Sequence, residues 1–434
     1  MFATLKIIIV FIGMLVLNRI KVPLSFALMI GGIGLNIWCG KSLEEAMKVF
    51  AGSFLRLDFW LLVIITIFVL EIGRFLTEKE NSDSLLRAAL RWGGKHGVVM
   101  SLVLPPALVG LIPMPAGALC SAPMIGQATD NSRWSASIKA SVNYWFRHLW
   151  EYWWPLYAGV IVAMTQFDMP PSLFFVTQIP FTIVAFLSGY MFIIKPHLQE
   201  FSKRIQSDNA SEVVAVREIL FPIGLIIVAT IVFSSFLQVL FPKITVLSGE
   251  NQRMIGILAG LGTGIIAIVC ADYRRAGKLL IFRNMLSKKS IAVILVIMGV
   301  KIFQHQLESS AAVIKASEEM AMSNMRVEYI IAFLPFLAGV VTGVAVGFTG
   351  ISFPLVVELM RASHSQLHPY STLILAYGWG YAGMMLSPVH LCLITTKEYF
   401  GASLFDIYRT IRGPVLTLIL YALTAHLFLR QIGL

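Results

Sequence analysis

The stretch NYWFRHLWEYWWP, residues 143–155, holds the side chains best suited to chemistry in this chain. Arg147 and Glu151 stand one helical turn apart and can pair, Asn143 lies one turn before Arg147, and His148 is adjacent. Ionisable groups inside a membrane-spanning segment are expensive, and they usually face a partner or a cavity. Arg147 is therefore a candidate anion or counter-charge group, and Glu151 its partner or a proton carrier. A competing reading places the group at the membrane surface, with Tyr144, Trp145, Trp150, Tyr152, Trp153 and Trp154 as an aromatic belt. Two features count against it: the apolar segment needs residues back to Val142 to reach spanning length, and the related stretch YGWGYAGMML carries no charge.

Pro155 and Pro388 should interrupt their spans, because proline lacks the amide donor and clashes with the preceding turn. The freed carbonyls could hold a cation, with Ser387 as a further oxygen ligand. His390 follows Pro388 by two residues and can titrate, although a hydrogen-bonded structural histidine is the plainer reading. In GVAVGFTGISFP, residues 343–354, Gly347 and Gly350 permit close backbone approach, while Thr349 and Ser352 add hydroxyls beside amides that a helix break would expose. Such a helix start suits an anion. Tight packing of small residues is the alternative. The matching positions in LPPALVGLIPMPAGALCSAP, residues 104–123, are Pro115, Ala116, Gly117 and Ser121, where Ala116 and Gly117 could contribute only backbone.

The elements that must position these residues follow from composition. Over 434 residues, 57% are apolar and 13% charged, which excludes a water-soluble domain and gives an all-α polytopic membrane protein. The run Ile7 to Leu17 is followed by no small-residue cleavage site and is read as the first span. The net charge of +11 is spread through loops, as topology signals are, so no nucleic-acid partner is expected. Cys39, Cys120, Cys270 and Cys392 lack CxxC spacing, so neither disulfides nor a metal site is assigned and they read as small core residues.

Apolar runs near spanning length fall at 3–18, 22–39, 57–73, 142–165, 172–194, 218–241, 254–271, 290–304, 370–396 and 413–430. Two further runs, 98–127 and 328–360, are broken by glycine and proline and read as re-entrant helical hairpins. With about ten transmembrane helices and two hairpins, the larger share of Lys and Arg falls on the cytoplasmic side and both termini face outward.

LPPALVG…SAP at 104–123 is echoed by LPFLAG…SFP at 334–354. Gly32 and Gly34 pair with Gly262 and Gly264, Arg74 with Lys301, and Pro155 with Pro388, all at a nearly constant displacement. The chain thus divides into a first repeat at 1–198, a cytoplasmic linker at 199–217 and a second repeat at 218–434. The first begins outside and the second inside, so the topology is inverted, a pointer to a secondary transporter.

The segments PMPAGALCSAPM, NYWFRHLWEYWWPLYAGVI, GVVTGVAVGFTGISFPLV and LSPVHLCLITTKEYF resemble the ion transporter superfamily of arsenite, citrate, gluconate and dicarboxylate carriers. The likeness is strongest to a prokaryotic integral-membrane branch of unknown function. It covers nearly the whole chain and implies a homodimer in the cytoplasmic membrane, with scaffold and mobile transport domains working as an elevator. The Ser-Asn-Thr signatures of dicarboxylate carrier hairpin tips are absent, so those carriers' sodium and substrate residues do not transfer.

The function expected is ion-coupled secondary transport, with Na+ or H+, of a small anionic solute such as a carboxylate. The alternative is a transporter or flippase of an amphipathic or lipid-linked substrate. An intramembrane enzyme is disfavoured: H-E-x-x-H, G-x-S-x-G and a second intramembrane aspartate are all missing. A channel fits an inverted repeat less well than alternating access. No cofactor is expected, and the partners are the anionic solute and membrane lipids.

Overall fold

The computed structural model describes residues 3–77, 98–113, 117–130, 132–200, 214–240, 249–271, 287–323, 326–362 and 367–433. Most of the linker, the loops at 78–97 and 272–286, and the candidate residues Pro115 and Ala116 lie outside the described residues.

The first half of the chain forms α1 (Ala3–Arg19), α2 (Leu24–Trp38), α3 (Leu43–Ser53), α4 (Leu57–Thr77), α5 (Val98–Gly110), α6 (Ala118–Ala128), α7 (Ala136–Arg147), α8 (Ala158–Gln166) and α9 (Pro171–Gly189). The second half forms α10 (Val214–Leu240), α11 (Gly249–Ala271), α12 (Lys288–Ser309), α13 (Ala312–Met322), α14 (Val327–Thr342), α15 (Ala345–Ala362), α16 (Pro369–Met385), α17 (Leu391–Phe400) and α18 (Leu404–Gln431). Among the described residues, five segments are long and apolar enough to cross a bilayer: Pro171–Gln199, Gly249–Cys270, Ser290–Ser309, Ala345–Ala362 and Leu404–Gln431. The pair α3–α4, bent by 53°, passes the same test as one unit. The chain is a multi-pass membrane protein.

The expected spans at 142–165 and 370–396 are not continuous helices. Each is two helices separated by a break: α7 and α8 around 148–157, α16 and α17 around 386–390. Pro155 and Pro388 lie inside these breaks, where a missing amide donor leaves no helical bond unmade. Conversely, α15, expected as one limb of a re-entrant hairpin, is by itself long enough to cross.

Two packing groups emerge, each built from both halves of the chain. Helices α1–α4 pack chiefly with α10–α13, and α5–α9 with α14–α18. The groups meet along α12–α15, α13–α15, α1–α14, α9–α10 and α4–α8. Buried amides reinforce this frame: Asn36 Nδ2 donates to Gln306 O at 2.8 Å within the first group, and Gln166 Nε2 donates to Gln304 Oε1 at 3.0 Å between the groups.

Candidate functional site

The two breaks lie against each other in the second packing group, and each half satisfies backbone that the other leaves open. Tyr381 and Tyr377 of α16 donate to the carbonyls of His148 and Glu151, at 2.6 and 2.5 Å. In return Tyr144 of α7 donates to Met385 O at 3.0 Å, at the end of α16. Unwound backbone inside a membrane protein persists only where protein groups or a cavity satisfy it, and here tyrosine hydroxyls do so.

The aromatic residues of 143–155 therefore do not form a surface belt. Trp150 Nε1 donates to Ala107 O (2.8 Å), Trp154 Nε1 to Leu111 O (3.0 Å) and Tyr157 Oη to Gly110 O (2.6 Å), which fixes the last turn of α5 against the first break. A Cβ at Gly110 would sit 2.1 Å from Arg147 O, so only glycine allows this approach. At the matching place in the second half, a Cβ at Gly339 of α14 would sit 2.2 Å from Gly380 O of α16.

Arg147 and Glu151 are 2% and 6% exposed. Arg147 Nη1 lies 3.2 Å from Glu151 Oε1, and His148 Nε2 lies 3.9 Å from the same oxygen. Asn143 donates through Nδ2 to Ala118 O (2.8 Å) and Thr396 Oγ1 (3.1 Å), and Ser121 Oγ donates to Asn143 Oδ1 at 2.6 Å. These bonds tie α6, α7 and α17 together. His148, the C-cap of α7, and His390, the N-cap of α17, face each other with Nε2 atoms 3.1 Å apart.

The tip between α14 and α15 touches the second break. Gly343 takes a left-handed conformation (φ 64°), and a Cβ there would lie 2.9 Å from both His390 N and Ser387 Oγ. Ser387 Oγ donates to Val340 O at 2.6 Å and accepts from Val389 N at 3.3 Å. The structure thus brings together Ser121, Asn143, Arg147, His148, Glu151, Ser387 and His390, with Pro155 and Pro388 in the adjoining breaks. Gly117 stands as the N-cap of α6, one turn before Ser121.

Thr349 and Ser352 are buried, and their hydroxyls donate within their own helix, to Ala345 O (3.0 Å) and Phe348 O (2.6 Å). Gly347 makes room for Thr342 and Gly350 for Val300, so both serve close helix packing.

Some residues escaped the sequence reading. Cys392 is buried, with its sulfur in one cluster with the imidazoles of His148 and His390. Its spacing from His148 in sequence gives no signal. Tyr377 and Tyr381 escaped the reading too; the signal for them is their spacing of one helical turn in YGWGY, which puts both hydroxyls on one face. Asp58 is buried and accepts from Lys301 in the first packing group.

A cavity of about 640 Å³ lies away from this cluster, lined by Ile8, Ile12, Tyr329, Phe333, Leu337 and Trp379, among others. Its walls are mostly apolar, with Arg326, Glu328 and His426 among them, and they come from α1, α14, α16 and α18.

No curated protein matches this chain. Among solved structures, the fold is similar to that of a transporter described as "Crystal structure of the Alcanivorax borkumensis YdaH transporter reveals an unusual topology". The match has a TM-score of 0.54 at 12% identity and covers 89% of this chain and 88% of that one. A family described as "Protein of unknown function (DUF401)" matches residues 3–428, nearly the entire sequence, and the chain belongs to that family.

Proposed function

We propose that the protein is an ion-coupled secondary transporter of a small anionic solute, with the binding site where the two broken spans meet. The observation that carries this reading is the buried Arg147–Glu151 pair at a helix break. An ionisable pair at that depth is costly and is best accounted for by a role in binding or coupling. When Glu151 takes up a proton, its hold on Arg147 weakens and the guanidinium becomes available to an anion. The proton is then the coupling ion. The carbonyls of His148, Glu151 and Met385 accept tyrosine hydroxyls, which weighs against a Na+ site built from them around Pro155, Ser387 and Pro388.

The division into two packing groups, each drawing on both halves of the chain, supports inverted repeats with a scaffold domain (α1–α4, α10–α13) and a transport domain (α5–α9, α14–α18). The paired Gly110 and Gly339 contacts support the same repeat. An elevator motion of one group against the other, in a homodimer of the cytoplasmic membrane of a prokaryote, follows from the superfamily resemblance. Both chain ends would lie outside.

The test is thermal unfolding of the purified protein against carboxylates and inorganic oxyanions, in Na+ and K+ buffers at two pH values. A ligand that binds the folded state raises its stability by mass action. A solute-specific, pH-dependent and Na+-independent shift is expected. Dependence on Na+ would overturn the proton as coupling ion, and the absence of any anion shift would favour the second reading. That reading, an amphipathic or lipid-linked substrate, is favoured by one observation: the mostly apolar cavity between α1 and α14, a suitable place for an acyl chain, with Arg326 and Glu328 in its lining.

A further inference from the structure

Two breaks from opposite halves of the chain place two imidazoles and one thiol at a single buried point. One ring nitrogen each of His148 and His390 and the Sγ of Cys392 all lie within 4.8 Å of one another, and all three residues are buried. The orientation of the rings is the informative part. His148 Nδ1 faces Tyr144 O at 2.6 Å and His390 Nδ1 faces Met384 O at 3.3 Å. A carbonyl can only accept, so each Nδ1 carries the proton, and in the neutral rings each Nε2 presents a lone pair. Two lone pairs then point at each other across 3.1 Å, an arrangement that repels unless a cation sits between them.

Imidazoles whose Nδ1–H is held by a backbone carbonyl, with Nε2 aimed at a common centre, are the usual outer-shell pattern of metal ligands. With metal–nitrogen bonds of about 2.0–2.1 Å at a tetrahedral angle, two such nitrogens stand about 3.3 Å apart, close to the separation found. Glu151 Oε1, 3.9 Å from His148 Nε2, stands at the margin of the same point, with Arg147 beside it.

We propose that His148, His390 and Cys392 bind one thiophilic d10 cation, Zn2+ or Cu+, that ties the two broken spans together. Mixed imidazole and thiolate donors select these ions over Na+, Mg2+ or Ca2+, which take oxygen. Binding forms two metal–nitrogen bonds and one metal–sulfur bond, and the thiol proton leaves to solvent. No electron is transferred. The site stands independently of the anion-transport reading.

The experiment is titration of the chelator-stripped, detergent-purified full chain with Co2+ as a spectroscopic stand-in for Zn2+, followed by competition with Zn2+ and, under reducing conditions, Cu+. The expected result is one Co2+ per chain, with a thiolate-to-cobalt charge-transfer band that Zn2+ or Cu+ removes. Cys392→Ser should lose the band and bind more than about tenfold more weakly, since losing a ligand costs at least as much as losing its outer-shell partner. Cys39→Ser should change neither. X-ray absorption of the metal-loaded wild type should show nitrogen and sulfur neighbours, which keeps the test valid if the Cys392 variant fails to fold. Absence of stoichiometric binding, a shell without sulfur, or a Cys392→Ser protein that binds as the wild type does would each overturn the proposal. With no metal bound, a proton shared between the two imidazoles would then be the occupant. Because none of these readings involves solute transport, failure here leaves the anion reading untouched, and the reverse holds.

Discussion

Lys301 Nζ lies 2.8 Å from Asp58 Oδ2 inside the protein, with the two residues 0% and 6% exposed. Glu250 accepts from the same ammonium at 3.0 Å, and Arg56 and His305 approach Asp58 from other sides. The cluster joins α4, α11 and α12 in the first packing group. Removing one partner of a buried ion pair strands the other, at a cost of about 3–5 kcal/mol. Lys301→Ala should therefore lower the thermal midpoint sharply. Lys301→Met combined with Asp58→Leu should recover much of the loss; additive losses in this cycle would remove the pair as a stabilising unit.

The Arg147–Glu151 pair predicts a separation of stability from function. Arg147→Ala should abolish solute-specific stabilisation and also destabilise the fold by about 3 kcal/mol or more, since Glu151 loses its cationic partner. Arg147→Met with Glu151→Leu should recover stability and leave binding absent. Glu151→Gln should keep binding but make it independent of pH. Anion binding that survives Arg147→Ala would return that residue to a structural role.

Gly343 and Gly401 share φ 64°, but only Gly343 is crowded: nothing lies within 4 Å of a Cβ built at Gly401. Alanine at either position meets the left-handed backbone strain, about 1–2 kcal/mol. At Gly343 the added methyl would also push the α14–α15 tip off Ser387 and His390. Gly343→Ala should thus lose transport in reconstituted vesicles and Gly401→Ala should not. Equal losses in the two variants would show that contact with the second break is not required.

Glu319 of α13 caps the start of α1. Its carboxylate accepts from Thr4 N and Thr4 Oγ1, both at 2.9 Å, and from Ala3 N at 2.6 Å. The bond from the Thr4 amide is foremost in holding this carboxyl below the ordinary glutamate value of 4.5. A depressed value in the folded state means the contribution is fully present above about pH 4.5 and is lost as pH falls through the lowered value. Glu319→Gln should therefore destabilise at neutral pH and converge on the wild type in acid, measured by unfolding at a series of pH values.

The sequence by itself determined the membrane class, the helical content and the places where helices fail. Composition points to a bilayer as the solvent, and Pro155 and Pro388 mark places where a helix can end. Pro105, Pro106 and Pro335 lie inside helices, so proline alone does not force a break. The sequence also singled out Arg147, Glu151 and Asn143, because residues a turn apart share a face. Only the tertiary structure decided what meets what. Local periodicity carries no information on partners 242 residues apart, the separation of His148 and His390. The aromatic residues illustrate the difference: a run of tryptophan and tyrosine is equally compatible with a membrane surface and with a buried break. In the fold it is the second: Trp150, Tyr157 and Trp154 donate to the carbonyls of Ala107, Gly110 and Leu111 at the end of α5.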